Sequence, residues 1–212
     1  MKYIFLSFTI ALFACNSTPE ATQKEVEKKE TVDSIITPAQ PAESTAKTTI
    51  AETGDNCKHG EAKPILKKGS FPKTSFELQS NKSTGIETIH FDNGDKLIIK
   101  NWGCDYDALT FRFETNRFHE EPSNAGFWYK RAVTLMNEIN KKLEASINVA
   151  KGTERLVTQI EEDVPNGYEN LKLNEELDFE DGPIRTFVCI DKVEKLDEKR
   201  FAVEVTFAKG PL

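Results

Sequence analysis

The hydrophobic period of this chain changes twice, and that limits what it can fold into. From Phe76 to Phe113 apolar residues alternate with polar ones: Phe76 and Leu78 against Glu77 and Gln79, then Ile89 and Phe91, Leu97 and Ile99, and finally Leu109, Phe111 and Phe113 against Thr110, Arg112 and Glu114. A two-residue period sends alternate side chains to opposite faces of a strand, so this stretch predicts an antiparallel sheet with one buried and one wet face. Asp92-Asn93-Gly94-Asp95 interrupts the alternation, and Asn-Gly predicts a type I′ hairpin turn with two positive-φ residues. The period then lengthens. Trp128, Ala132, Leu135, Met136, Ile139, Leu143 and Ile147 recur at three- and four-residue steps, while Lys130, Asn137, Glu138, Lys141 and Lys142 fall elsewhere on the wheel. This predicts a helix over about 125–147, with Ser123 or Asn124 as its N-cap. Gly152-Thr153 reads as an interruption, after which Leu156, Val157 and Ile160 predict a second, shorter helix ending before Pro165. The two-residue period returns at the end. Ile184 to Val193 is apolar on both faces near its centre, as a central, doubly covered strand would be, and Phe201, Val203, Val205 and Phe207 alternate with Ala202, Glu204, Thr206 and Ala208. The expected fold is α+β: an antiparallel sheet packed on one face by a long helix plus a shorter one, with strands on both sides of the helices in sequence.

The segment before this domain has a different composition. Asn16 to Asn56 contains no aromatic residue and few large aliphatics, and is rich in Thr, Glu, Lys, Ala and Pro. It cannot bury enough apolar area to offset chain entropy, so 15–56 is expected to be a disordered tether, with at most a local helix between Glu20 and Ile35. About 40 residues of coil span roughly 35 Å. That leaves 57–212 as a single folded domain, about 150 residues, enough for a sizeable core.

At the start, Lys2 precedes an apolar run from Tyr3 to Phe13, followed by Leu12-Phe13-Ala14-Cys15 and an abrupt turn to polar residues. A charged start, a short apolar stretch and a small residue before a cut are the parts of a secretory signal, here 1–14. With cysteine at the cut, the segment resembles the signal of bacterial lipoproteins. The resemblance implies cleavage after Ala14, diacylation of the Cys15 sulfur and acylation of the new amine. It further implies a protein of the Gram-negative cell envelope held by lipid; Asn16 after the cysteine is compatible with export to the outer membrane. The apolar run is roughly ten residues, short of the about 20 a spanning helix needs, so lipid rather than a helix would be the membrane contact.

Charge excludes one class of partner. The chain has 28 Lys+Arg against 35 Asp+Glu, a formal charge of -7. A surface of that sign is repelled by phosphate backbones, so no nucleic-acid role is expected.

With Cys15 assigned to lipid, Cys57, Cys104 and Cys189 remain in an oxidising compartment. Cys57 opens the domain and Cys104 lies in a loop, whereas Cys189 sits inside an apolar strand, so the expected disulfide is Cys57–Cys104, contributing about 4 kcal/mol in the chain-entropy model if unstrained. Zinc on Cys57, His59 and Cys104 would lack any paired ligand motif, and the Asp92–Asp95 turn lacks the acidic twelfth residue of a calcium loop, because position 103 is Gly. No metal and no cofactor is expected. Ser70-Phe71-Pro72-Lys73 matches the S-x-x-K pattern of penicillin-recognising serine enzymes without its companion motifs. The run Glu175-Glu176, Asp178, Glu180, Asp181 reads as a solvated acidic loop.

The candidate binding residues are Trp102, Asp105, Tyr106 and Asp107. They place an indole, a phenol and two acids at a strand end, where loops on a rigid scaffold commonly carry function, and Trp and Tyr dominate many interfaces. The competing role for the two aromatics is to cover the edge of the sheet. The loop at 116–124 is expected as a neighbour. No catalytic residue is assigned. The leading expectation is an envelope lipoprotein whose domain binds a protein or glycan; the alternatives are an inhibitor or immunity-type module, similar in anchor, size and disulfide to small lysozyme inhibitors, and a cell-wall glycan hydrolase using paired carboxylates.

Overall fold

Two antiparallel meanders, separated in sequence by a pair of helices, meet edge to edge to build one sheet. In the computed structural model, which describes residues 60–210, β1 (Thr74–Leu78), β2 (Gly85–His90), β3 (Lys96–Trp102) and β4 (Asp107–Thr115) form the first meander. Next come α1 (Ala125–Ile139) and α2 (Val149–Asp163), and then β5 (Leu177–Asp178), β6 (Thr186–Lys195) and β7 (Phe201–Lys209). The order across the sheet is β1-β2-β3-β4-β7-β6-β5, antiparallel at every pairing. The seam is β4 against β7, with Leu109 opposite Phe207, Phe111 opposite Val205 and Phe113 opposite Val203. The expected signal 1–14, Cys15, the expected tether 15–56 and Cys57 lie outside the described residues. Among the described residues no helix is long and apolar enough to cross a membrane.

The expected alternation decides which face is covered. Ile89, Leu97, Ile99, Leu109, Phe111, Phe113, Val203, Val205 and Phe207 are all buried and share one core with Trp128, Ala132, Leu135, Met136, Ile139 and Leu156 from the helices. Asn124 is the N-cap of α1, its side chain accepting from Phe127 N at 3.1 Å, and Asn148 caps α2 in the same way through Lys151 N.

Four local expectations are overturned. The first helix does not run to position 147. It ends at Ile139, passes through a 3-10 turn at Asn140–Lys142, and Leu143 is extended and bridges Leu66. Backbone bonds from Glu144 N to Ile65 O and from Lys67 N to Lys142 O take the place of further helical turns, while Ile147 stays buried in the connection. Nor does Gly152-Thr153 interrupt a helix. Both lie inside α2, which at 15 residues equals α1 in length. A β-carbon on Gly152 would sit 2.6 Å from Phe207 Cε1, so the glycine lets α2 lie directly on the sheet. The 91–95 turn is not type I′. Gly94 has φ +86°, but Asn93 is not among the positive-φ residues. Gly94 N donates to Phe91 O and Phe91 N to Asp95 O, so the loop has the longer form that ends in a left-handed glycine, steadied by Asp95 N donating to Asn93 Oδ1. Finally, the acidic run is not wholly solvated. Leu177 and Phe179 are buried within it, Leu177–Asp178 pairs with β6 as β5, and Arg185 ties down Glu176 and Asp178 at 2.6 and 2.8 Å.

Candidate functional site

The β3–β4 hairpin carries the four candidate binding residues, and they go to different places. Trp102 ends β3 opposite Ala108, and Asp107 begins β4. Between them Gly103 has φ +122°, and a β-carbon there would meet Tyr106 O at 2.0 Å, so the loop closes only with glycine at that position. Tyr106 is seated on Gly210, where a β-carbon would lie 2.5 Å from Tyr106 Cβ. The two aromatics pack edge to face, centroids 5.4 Å apart, against Ala108, Phe187, Cys189 and Ala208. These residues are on the helix-free side of the sheet. Trp102 and Tyr106 therefore roof a second, small core, which is why β6 is apolar on both faces although only one strand, β5, lies outside it.

The indole is fixed by a directed line of hydrogen bonds across that face. Thr206 Oγ1 donates to Asp191 Oδ2 at 2.7 Å, so the 2.9 Å contact between Thr110 and Thr206 has Thr110 as donor, and Thr110 in turn accepts from Trp102 Nε1 at 3.2 Å. Lys100 Nζ lies 4.5 Å from the centre of the Trp102 ring. Cys189, free and buried, has its thiol pushed up to about 12 by burial and by neighbouring Asp191, and is a packing residue rather than a nucleophile. Cys104 is disulfide-bonded; its expected partner Cys57 lies outside the described residues.

Asp105 is exposed, and Asp107 faces a cleft of about 400 Å³. Asn101, Trp102 and Gly103 from the hairpin line this cleft with Glu61 and Lys63 from the entering segment, Ser83, and Glu144 and Ser146 from the connection between the helices. Asn101 Nδ2 donates to Lys63 O at 3.1 Å and joins two of its walls. The lining is largely hydroxyl, amide and charged groups beside one indole, a composition suited to a ligand rich in hydroxyls or amides. Glu61, Lys63, Glu144 and Ser146 were not legible as site residues, because Glu61 and Lys63 lie in irregular chain and the spacing of Leu143 and Ile147 placed Glu144 and Ser146 on a helix that in fact ends at Ile139. The loop at 116–124 is not a neighbour. It leaves the far end of β4, nine residues away, about 30 Å along the strand.

The Ser70–Lys73 motif lacks the helix its chemistry needs, and Cys57 and His59 of the zinc alternative lie outside the described residues. Ser70-Phe71-Pro72-Lys73 is not helical, and Lys73 pairs with Asp92 at 2.9 Å. Among the described residues no group of three or more His, Cys, Asp or Glu could hold a metal ion. No family model, characterised protein or solved structure matches this chain.

Four carboxyls set a pH dependence. Burial pushes Glu87 above its ordinary value of 4.5, against the pull of the Ile65 and Leu66 amides that bond it, and burial likewise raises Asp191 above 3.8. Asp163, although buried, is held below 3.8 by Asn166 and Asn170, and Asp197 by the amides of Lys199 and Arg200. A raised carboxyl binds its proton more tightly in the folded state, so it favours folding more as pH falls from neutral toward its ordinary value. A lowered one loses its contribution as pH falls below 3.8. The melting temperature is therefore expected to hold or rise between pH 7.5 and 5.5 and to fall below pH 3.8. A steady decline from pH 7.5 to 5.5 would contradict this balance.

Proposed function

We propose that this chain is a lipoprotein of the cell envelope, anchored in the outer membrane by acyl groups on Cys15, whose domain binds a glycan or protein through the cleft beside Trp102. The anchor rests on the signal Leu12-Phe13-Ala14-Cys15. The binding role rests on a single observation: four separate chain segments converge on a polar cleft at the Trp102 end of the sheet. Several acyl chains on one cysteine hold a protein on a bilayer durably, and the tether would let the domain reach away from it. Cys15→Ser is expected to move the protein from the membrane to the soluble fraction or leave it unprocessed. An intact mass showing unmodified Cys15 in the wild type would end the lipoprotein reading.

A second reading, cell-wall glycan hydrolysis, draws on the presence of Glu61, Asp107 and Glu144 around the same cleft, since glycosidic cleavage needs two carboxyls on either side of the bond. One experiment separates the two. Binding and turnover of purified peptidoglycan are measured for the wild type, Asp107→Asn and Glu144→Gln. Binding weakened by both substitutions without turnover supports the binding module; turnover abolished by either supports the enzyme. Unchanged peptidoglycan binding by both folded variants would move the site away from the cleft.

A further inference from the structure

β1 is the outermost strand at one side of the sheet, and its free edge lies next to a groove. His90 N donates to Lys73 O at 3.1 Å and Gln79 N to Thr84 O at 2.8 Å. With Thr74 opposite Ile89 and Leu78 opposite Gly85, Ser75 and Glu77 turn their backbone toward β2, while Thr74, Phe76 and Leu78 turn theirs outward. Among the described residues no strand pairs with that edge. Alongside it runs a groove of about 380 Å³ whose lining includes Leu66, Lys67, Lys68, Phe71, Thr74 and Phe76. Phe76 is 37% exposed there. Lys142 Nζ lies 4.1 Å over the Phe71 ring, and Lys67 Nζ donates to Lys141 O, so several lysines gather at one rim of a chain whose net charge is -7. Glu87, the carboxylate in the lining, turns its oxygens to the amides of Ile65 and Leu66 at 2.6 and 3.3 Å rather than toward the lysines.

We infer that the free edge of β1 is a docking strand for an extended, acidic segment of a partner protein. The segment pairs its backbone with Thr74, Phe76 and Leu78, sets an apolar side chain between Phe71 and Phe76, and brings carboxylates to Lys67 and Lys68. Backbone pairing gives the affinity and the groove and lysines the selectivity, as in other cases of strand addition to an exposed edge. A second copy of this chain is a poor occupant, because its β1, Thr74–Leu78, carries a single carboxylate, Glu77, to offer the lysine rim. A membrane is disfavoured too, since the apolar residues line a concavity instead of projecting. The inference is independent of the cleft beside Trp102.

The test uses the full chain in detergent and a fluorescent heptapeptide, Glu-Thr-Val-Thr-Glu-Thr-Glu, whose glutamates and valine share one face of a strand and so all reach the groove. Saturating peptide is expected to slow hydrogen exchange at the Thr74, Phe76 and Leu78 amides by about tenfold or more, with affinity falling as salt rises. Thr74→Pro removes an outward N–H without touching the β1–β2 ladder and should abolish binding; Lys67→Glu with Lys68→Glu should weaken it at least about tenfold. Should Thr74→Pro fail to fold, the same peptide N-methylated at alternate residues tests pairing on the unchanged protein and should not bind. The inference is overturned by absent protection of those amides, by equal binding of the N-methylated peptide, or by lysine variants that bind as well as wild type. Lysine-dependent binding to phosphatidylglycerol vesicles without peptide binding would assign the patch to a membrane instead. Protection already present in the unliganded chain and lost on deleting 16–56 would assign it to the tether.

Discussion

Phe207→Asp is expected to abolish cooperative melting of the domain. Phe207 has no exposed surface, meets Phe111 and Phe179 edge on, and lies beneath Gly152. Its cluster neighbours among the described residues are apolar, so the new carboxylate would be buried without a partner or would have to take up a proton. Either course costs several kcal/mol on top of the lost apolar burial, against a total stability of about 5–15 kcal/mol for a domain of this kind. Near-ultraviolet circular dichroism with a thermal scan reads the result. A melting temperature equal to that of the wild type would mean that β7 does not present Phe207 to the helices.

Gly152→Val tests the other side of the same contact, and two effects oppose each other there. Glycine within a helix is less favourable than alanine by about 1 kcal/mol, so any side chain recovers part of that. Yet a β-carbon at Gly152 would approach Phe207 Cε1 to 2.6 Å and Phe179 Cε1 to 3.1 Å, with branches adding to the overlap. Overpacking of this kind costs about 1–3 kcal/mol and valine regains little propensity, so the net expectation is destabilisation by about 2 kcal/mol. Urea denaturation measures it. A stabilised Gly152→Val would show that α2 can lift from the sheet at little cost.

Much of the fold was legible because local sterics and hydrophobic period agree with it. The strands containing Leu97, Phe111 and Phe207 and the start of α1 at Ala125 follow from alternation, three- and four-residue spacing and an Asn N-cap. The misread places are those where a distant partner outweighs local preference. Leu143 and Ile147 keep the helical spacing, but pairing with the segment at Ile65–Lys67 pulls the chain out of the helix. Gly152 resembles a helix breaker in sequence and is a contact residue in space. Glu138 reads as an idle surface charge. In the structure it grips Arg117 at 2.8 and 3.2 Å, and Arg117 Nε reaches the nearly buried Asp95 at 2.7 Å, joining α1 to the β2–β3 turn.

The candidate site divides along the same line. Trp102, Asp105, Tyr106 and Asp107 could be singled out because unusual residue types crowd a short hairpin loop. Their separation into a roof formed by Trp102 and Tyr106, an exposed Asp105 and a cleft-facing Asp107 depends on Phe187, Ala208 and Gly210, about a hundred residues later in the chain. By itself, then, the sequence determined the α+β class and the face that β2, β3, β4 and β7 bury, since these depend on φ/ψ sterics and side-chain direction within a few residues. Only the tertiary structure decided that β7 closes on β4, that the second face of β6 is covered by an aromatic hairpin, and that Glu61, Asp107 and Glu144 share one cleft. Strand pairing and loop convergence join residues far apart in the chain, and backbone hydrogen bonds carry no residue-specific code, so which segments meet is selected by packing of the whole molecule.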